Sequence, residues 1–148
     1  MGRRTKAREC AFQILYQWQI SGEPIGAVLE SFWRVRSGTP EARAMAERLA
    51  CGAQARAKAL DAEIAEAATH WRIERIAPVD RTILRLGAFE LAEEKATPAA
   101  VVIDEAVELA KRFGEADSPA FVNGVLDAIR KRVRGEAVRD TEDVKQQR

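Results

Sequence analysis

The stretch RRTKARECAFQILYQWQ, residues 3–19, predicts the first element of the fold and raises the first functional question. Its small and apolar residues recur at the spacing of a helix that buries one face, and they are Ala7, Cys10, Ala11, Ile14, Leu15 and Trp18. Four cations stand at its start, with no acidic residue among the first eight positions of the chain: Arg3, Arg4, Lys6 and Arg8. We therefore expect a helix from about Arg4 to Gln19 with positive charge concentrated at its beginning.

Prolines recur along the remainder of the chain at positions that suit the first turn of a helix. Proline lacks a backbone N–H, but at the first turn that N–H would have no acceptor within the helix. Further helices are predicted after each of these positions: Pro24, Pro40, Pro78, Pro98 and Pro119. The helix at Pro40 is expected to be long and alanine-rich, running towards Thr69 without interruption. The last helix, capped by Asp117 and Ser118, is expected to end at Gly135.

Composition favours an all-α domain of six to seven helices in two bundles. The 148 residues suit a single domain, and alanine is common whereas threonine and tyrosine are scarce. We expect one helical domain over residues 1–135, with subdomains at about 1–70 and 71–135, and a disordered polar tail over 136–148. Because neither a signal peptide nor a membrane span is recognisable, a soluble cytoplasmic protein without membrane association is expected.

The sequence lacks the residue patterns that most catalytic or cofactor sites require. His70 is the single histidine, and the two cysteines, Cys10 and Cys51, are far apart and form no CxxC pair. The glycines do not form the phosphate-binding loops GxGxxG or GxxxxGK[ST]. We therefore expect no enzyme activity, no cofactor and no metal site.

Charge and aromatic residues point instead to nucleic acid. The four cations at the start of the chain suit phosphate binding, although charge alone favours a solvating end equally well. In the helix after Pro78, one side is apolar and the other carries Arg81, Arg85 and Phe89. Guanidinium groups beside an aromatic ring can bind phosphates and stack on an unpaired base. The pattern is equally consistent with Phe89 as a residue of the apolar core.

Other side chains have two interpretations each. Phe121 lies at the start of the last helix, where it can stack on a base beside exposed backbone amides or simply pack. Phe12 and Tyr16 form an i, i+4 pair on a flank of the first helix, where they could meet a protein partner, the second bundle or a second copy of the chain. Glu90 falls on an apolar side, so we expect it to meet an arginine, and Arg8 is one candidate.

Four segments together resemble the NusB family of bacterial transcription antitermination factors. They are RRTKARECAFQILYQWQ (3–19), VDRTILRLGAFEL (79–91), VVIDEAVELAKRFG (101–114) and SPAFVNGVLDAI (118–129). The resemblance, which runs from Arg3 to about Val133, implies two packed three-helix bundles and a function without catalysis. It implies binding to the boxA element of ribosomal RNA transcripts together with the small-subunit ribosomal protein NusE. That pair would help RNA polymerase, within an antitermination complex, to read through terminators.

The resemblance also assigns roles to individual residues. The family's basic N-terminal motif falls on Arg3, Arg4, Lys6 and Arg8, and its RNA-facing positions in the second bundle include Arg85, Asp117 and Phe121. Asp80 matches the family's positions on the side that meets the ribosomal protein. Tyr16 could belong to the RNA-binding surface or to the partner-binding surface.

Three alternatives stay open at this stage. One is a helical adaptor that binds only proteins, and another is a stand-alone relative of the RNA-binding domain of ribosomal RNA cytosine methyltransferases. The third is a homodimer formed through the flank of Phe12 and Tyr16.

Overall fold

The computed structural model describes residues 2–135, and the tail predicted for 136–148 lies outside them. Within that range the chain forms seven α-helices and one 3₁₀ turn, Ile73–Arg75. The helices are α1 (Arg3–Ser21), α2 (Ile25–Val35), α3 (Pro40–Ala55), α4 (Ala57–Ala67), α5 (Pro78–Glu93), α6 (Ala99–Phe113) and α7 (Ser118–Val133). The prediction of an all-α fold with six to seven helices is confirmed. None of the helices in residues 2–135 combines the length and apolar character that crossing a bilayer requires.

Most helix ends lie where the sequence predicts them, and local capping residues account for several of these ends. Gly22 ends α1 in the left-handed conformation, with φ at 72°. The hydroxyl of Thr39 accepts a hydrogen bond from the backbone N–H of Ala42 at 3.1 Å, and thereby caps α3. At the start of α7, Asp117 occupies the N-cap position, but its side chain makes no capping hydrogen bond. The predicted capping role of Asp117 is therefore wrong.

The uninterrupted helix predicted from Pro40 towards Thr69 is also wrong, because the chain breaks at Arg56. Arg56 leaves helical geometry with φ −108° and ψ 17°, and its guanidinium pairs with Glu93 on α5. The bend turns α4 so that it packs against α5 and α7. Alanine-rich sequence permits a continuous helix here, and the tertiary contacts of α4 decide against it.

Two groups of helices share one apolar core. Helices α1, α2 and α3 pack together, as do α5, α6 and α7, while α1 and α3 also contact α5. Helix α4 packs mainly against helices of the second group, α5 and α7. The predicted subdomain boundary at about residue 70 therefore does not follow the packing.

Helix α5 lies at the centre and is buried on every side. All residues from 82 to 91 are buried, which includes Arg85, Phe89 and Glu90. A Cβ atom on Gly52 of α3 would lie 2.2 Å from Cζ of Phe89, so the two helices approach closely only because residue 52 is glycine. Phe89 is therefore a core residue, and the Arg–Phe surface predicted on α5 is not exposed.

Helix α1 runs parallel to α6 and antiparallel to α5. Near its start, Thr5 donates a hydrogen bond to Glu105 of α6 at 2.5 Å. Farther along, the rings of Phe12 and Phe113 lie 5.0 Å apart. At its end, Gln19 donates to the carbonyl of Pro78, the first residue of α5, at 3.2 Å. The start of α5 therefore lies beside the end of α1, far from the N-terminal cations.

Candidate nucleic-acid interface

Three of the four N-terminal cations form an exposed group, which we call the N-terminal basic cluster: Arg3, Arg4 and Lys6. All three belong to the first two turns of α1. The guanidinium Nη2 of Arg4 donates to Oγ1 of Thr97 at 3.3 Å. Neither Arg3 nor Lys6 is paired with a carboxylate in the part of the chain that the structure describes. Their charge is therefore directed into solvent.

The position of this cluster is electrostatically unfavourable for an isolated helix. Backbone amides at a helix N-terminus carry partial positive charge and favour anions. Helix α1 has no acidic residue in its first turn, and Gly2 at the N-cap offers no side chain to accept a hydrogen bond. A like charge there costs about 0.3–1 kcal/mol at an exposed site. Cations and uncapped amides together form a site that an anion would stabilise.

Arg8, the fourth predicted cation, does not belong to this surface. It is 2% exposed, and its Nε lies 3.0 and 2.9 Å from Oε1 and Oε2 of Glu90. Its Nη1 lies 3.4 Å from Glu105. The predicted RNA contact of Arg8 is therefore not available in this structure, because its charge is used to neutralise a buried carboxylate. The alternative expectation, that Glu90 meets Arg8, is confirmed.

Arg85 is likewise held inside the protein. Its Nε and Nη2 donate to the two carboxylate oxygens of Asp61, each at 2.7 Å, and its Nη1 donates to Gln19 at 2.7 Å. This geometry leaves no guanidinium edge for a phosphate. Arg81, predicted beside it, is half-buried, and its Nε is covered. The structure therefore contradicts the predicted exposure of Arg85, whereas Arg81 stays partly accessible.

A groove at the start of α7 is the second candidate surface, which we call the Phe121 groove. Phe121 is half-buried and meets Trp71 edge to face, with ring centroids 5.9 Å apart. The groove encloses about 240 Å³ and is also lined by Arg75, Asp80 and Asp117. Trp71 is 54% exposed, which is unusual for so large an apolar side chain.

Trp71 is a functional candidate that the sequence reasoning missed. It lies between His70 and Arg72 in the segment that joins α4 to the 3₁₀ turn. A tryptophan flanked by basic side chains outside a helical pattern was the available signal.

Asp80 lies in this groove as a buried acid. It is 8% exposed, and its Oδ1 has no hydrogen-bond partner among the described residues. Burial raises the pKa of Asp80, Ser118 opposes that rise, and the carboxylates of Asp117 and Glu115 add to it. Asp117 itself is exposed. The groove thus combines two aromatic rings with hydrogen-bond acceptors, which suits a ligand that carries N–H groups.

The flank of Phe12 and Tyr16 is less accessible than expected. Phe12 is 3% exposed and packs between Tyr16, at 6.0 Å between ring centroids, and Phe113. Tyr16 is half-buried. Of the two predicted side chains only Tyr16 can take part in an interface, so a homodimer through an exposed Phe12 is not supported by this packing.

The N-terminal basic cluster and the Phe121 groove lie towards opposite ends of α1. Arg4 is level with Thr97, while Gln19 contacts Pro78 beside the groove. Fifteen residues of helix correspond to about 22 Å. A single ligand that touched both surfaces would therefore be an extended chain.

In residues 2–135, no three His, Cys, Asp or Glu side chains are placed together to hold a metal ion.

Comparison with known proteins agrees with this architecture. The NusB family model matches residues 5–131. A transcription antitermination protein NusB from Sorangium cellulosum is 49% identical over 129 residues, which cover 87% of this chain and 92% of the relative. The structure of T. maritima NusB superposes with a TM-score of 0.80 at 35% identity, covering 88% of this chain and 92% of that one.

A further solved structure contains the antitermination factors NusB and NusE in complex with double-stranded RNA. One of its chains matches with a TM-score of 0.81 at 32% identity and covers 89% of this chain and 98% of that one. The family model and this relative each cover most of the sequence, the model from residue 5 to residue 131 and the relative over 87% of the chain. The chain belongs to the NusB family.

Proposed function

We propose that this protein is a transcription antitermination factor that binds boxA-type single-stranded RNA together with the ribosomal protein NusE, and so helps RNA polymerase to read through terminators. The observation that carries the proposal is the N-terminal basic cluster. Cations at the positive end of α1 oppose helix stability, and a bound phosphate would reverse that penalty. The structure that holds NusB, NusE and RNA together supports the choice of partners.

Recognition divides between the two surfaces. Arg3, Arg4 and Lys6 supply phosphate contacts, which give affinity that depends on salt and little on sequence. At the Phe121 groove, an unstacked base would meet Phe121 and Trp71. Stacking on aromatic side chains is the usual way in which proteins hold single-stranded bases. The RNA would extend for about 22 Å between these surfaces.

The acids of the groove would select among bases. Asp117 is exposed, and the oxygen atoms of a carboxyl group accept hydrogen bonds from base N–H groups. An acidic rim also repels phosphates, so it favours a base edge over the RNA backbone at this position. Sequence preference would therefore arise at the groove, and most of the salt dependence at the basic cluster.

The protein partner would complete the RNA site. Tyr16 is half-buried and contacts Phe12, which packs on Phe113 at the C-terminal end of α6, so a partner seated near the end of α1 could contact Tyr16 and the rim of the groove that contains Asp80. A composite surface raises RNA affinity because the second contact becomes intramolecular. RNA affinity is therefore expected to be modest for this chain alone and higher with NusE.

A titration of labelled boxA RNA, with and without NusE, tests the proposal. We expect tighter binding with the partner and weaker binding of a scrambled RNA of equal length. Arg3→Gln with Lys6→Gln should reduce the slope of log K against log salt by about 0.7 for each lost phosphate contact. Arg34→Gln is the matched control, because Arg34 is exposed but already paired with Glu30 at 2.7 Å. Equal binding of scrambled RNA, or no effect of the partner, would refute boxA recognition. Partner binding without any RNA binding would identify a protein-only adaptor.

A further inference from the structure

A second basic pocket lies between the start of α1 and the turn that joins α2 to α3. It encloses about 280 Å³ and is lined by side chains from both elements, among them Lys6, Cys10, Trp33 and Arg36. Gly38 is part of the lining, and a Cβ atom there would lie 3.6 Å from Cγ of Arg43 and 3.8 Å from Cζ3 of Trp33. Neither the sequence patterns nor the two surfaces described above include the residues of the α2–α3 turn.

The charge of this pocket is positive. Arg36 donates from Nη1 to the amide oxygen of Gln13 at 2.7 Å, so the contact leaves its charge uncompensated. Lys6 and Arg36 have no carboxylate partner within residues 2–135. The lining acid, Glu9, is already bound by both Nη atoms of Arg112 at 2.9 and 3.0 Å. An anion entering the pocket would therefore meet cations whose charge is not already neutralised.

A stacking surface adjoins the pocket at Arg43, on the first turn of α3. Arg43 does not line the cavity, but it is exposed, a Cβ on the lining residue Gly38 would lie 3.6 Å from its Cγ, and its guanidinium lies 4.8 Å from the centroid of the Trp33 ring. Bases stack on guanidinium planes as well as on aromatic rings. The indole Nε1 of Trp33 is buried and has no hydrogen-bond acceptor among the described residues. A ligand that brought an oxygen atom within reach would satisfy this donor.

We infer that this pocket is an additional RNA subsite that binds a phosphate between Lys6 and Arg36 and the adjoining base against Arg43. The inference rests on the proposed RNA-binding function and extends its footprint. Lys6 connects the two regions, because it belongs to the N-terminal basic cluster and lines the pocket. A strand held at Arg3 can therefore continue along one turn of α1 to reach the pocket. The stacked guanidinium plane favours a nucleotide over an acidic peptide.

Cys10 provides a reporter inside the pocket. Its thiol is half-buried and lines the cavity, whereas Cys51 lies on α3 outside it. Alkylation with iodoacetamide, read by mass spectrometry, can follow both thiols in one sample. With single-stranded RNA at about ten times its Kd, the Cys10 rate should fall about tenfold because few molecules remain unbound, while the Cys51 rate should not change. Unchanged Cys10 alkylation under saturating RNA would overturn the inference.

Variants supply a second, independent measurement. Arg36→Gln with Arg43→Gln should reduce the slope of log K against log salt by about 0.7, because only Arg36 of the two contacts a phosphate, and should weaken binding further through loss of the Arg43 stacking plane. Arg36→Lys with Arg43→Lys should keep most of the slope and lose part of the affinity, since lysine keeps the charge but not the plane. Arg34→Gln on the same helix should change neither quantity. Circular dichroism confirms that each variant is folded.

The outcomes separate this inference from the function on which it rests. If the unmodified protein does not bind RNA, the proposed function fails. If it binds RNA and the Arg36 and Arg43 variants bind with the same affinity and salt slope, only the subsite fails. If the Arg36 and Arg43 variants lose binding to an acidic peptide while their RNA binding is unchanged, the pocket binds a protein ligand, and the inference is also overturned.

Discussion

Replacing Arg8 with methionine tests whether this residue serves the fold or the RNA. Methionine fills a similar volume along the side-chain stem but removes the guanidinium that faces Glu90. Both side chains of the pair are 3% exposed, so water does not reach the carboxylate that is left behind. Removing one partner of a buried ion pair typically costs about 3–5 kcal/mol, because the remaining charge loses its compensation. We expect a loss of that size at pH 7.

The pH dependence gives the expected loss a direction. Burial raises the pKa of Glu90, and Arg8 opposes that rise. Without Arg8 the folded-state pKa must rise further, so the folded variant binds a proton more tightly than the unfolded chain does. The stability that comes from neutral Glu90 is then present at low pH and is lost as pH rises through the raised pKa. The difference between Arg8→Met and the unmodified protein should therefore shrink as pH is lowered from 7.

Urea unfolding followed by circular dichroism measures this difference. With an m-value of about 2 kcal/mol/M, the expected loss lowers the midpoint by about 2 M. The double variant Arg8→Met with Glu90→Met should recover most of the stability, because replacing a buried ion pair by apolar groups is often neutral. RNA affinity measured on folded Arg8→Met should keep the unmodified salt slope. A small stability loss accompanied by a reduced salt slope would refute the structural role and return Arg8 to the RNA surface.

Three further substitutions test other parts of the structure by the same unfolding assay. Gly52→Ala should destabilise by about 1–3 kcal/mol despite its better helix propensity, because the new Cβ collides with the buried ring of Phe89; an increase in stability would contradict this packing. Asp61→Asn should cost about 1.5–3 kcal/mol by removing charge-assisted bonds to Arg85, and an unchanged midpoint would show that the pair contributes nothing. Burial raises the pKa of Asp80, so its protonated carboxyl group contributes stability at low pH that is lost as pH rises through the folded-state pKa. Asp80→Asn should therefore raise stability near pH 7 and flatten the stability profile on the acidic side, and a steeper profile would refute this.

Much of the helical architecture follows from local signals. Prolines at the first turn, the Thr39 cap and the left-handed Gly22 act on neighbouring residues, so the positions of helix ends can be inferred without tertiary information. The all-α class, the beginnings of six of the seven α-helices and the concentration of charge at Arg3, Arg4 and Lys6 were predictable for this reason, whereas the beginning of α4 was not.

Side chains that meet distant partners were harder to assign. Helical periodicity assumes one buried face, whereas α5 is enclosed on every side by other helices, and this places Phe89 and Arg85 in the interior. The neighbours that enclose α5 come from both ends of the chain, so no local window contains them. Likewise, Trp71 and Phe121 are 50 positions apart in sequence and meet only in the folded groove.

The amino-acid sequence by itself determined the all-α class, the family and the basic start of α1, because propensity, capping and charge act over a few residues. Only the tertiary structure decided which of the four N-terminal cations face solvent. Arg8 carries the same charge as Arg3, Arg4 and Lys6, yet it is buried because Glu90, 82 positions away, needs a counter-charge inside the core. The energy of a charge depends on the dielectric and the partners that surround it, and those are set by packing.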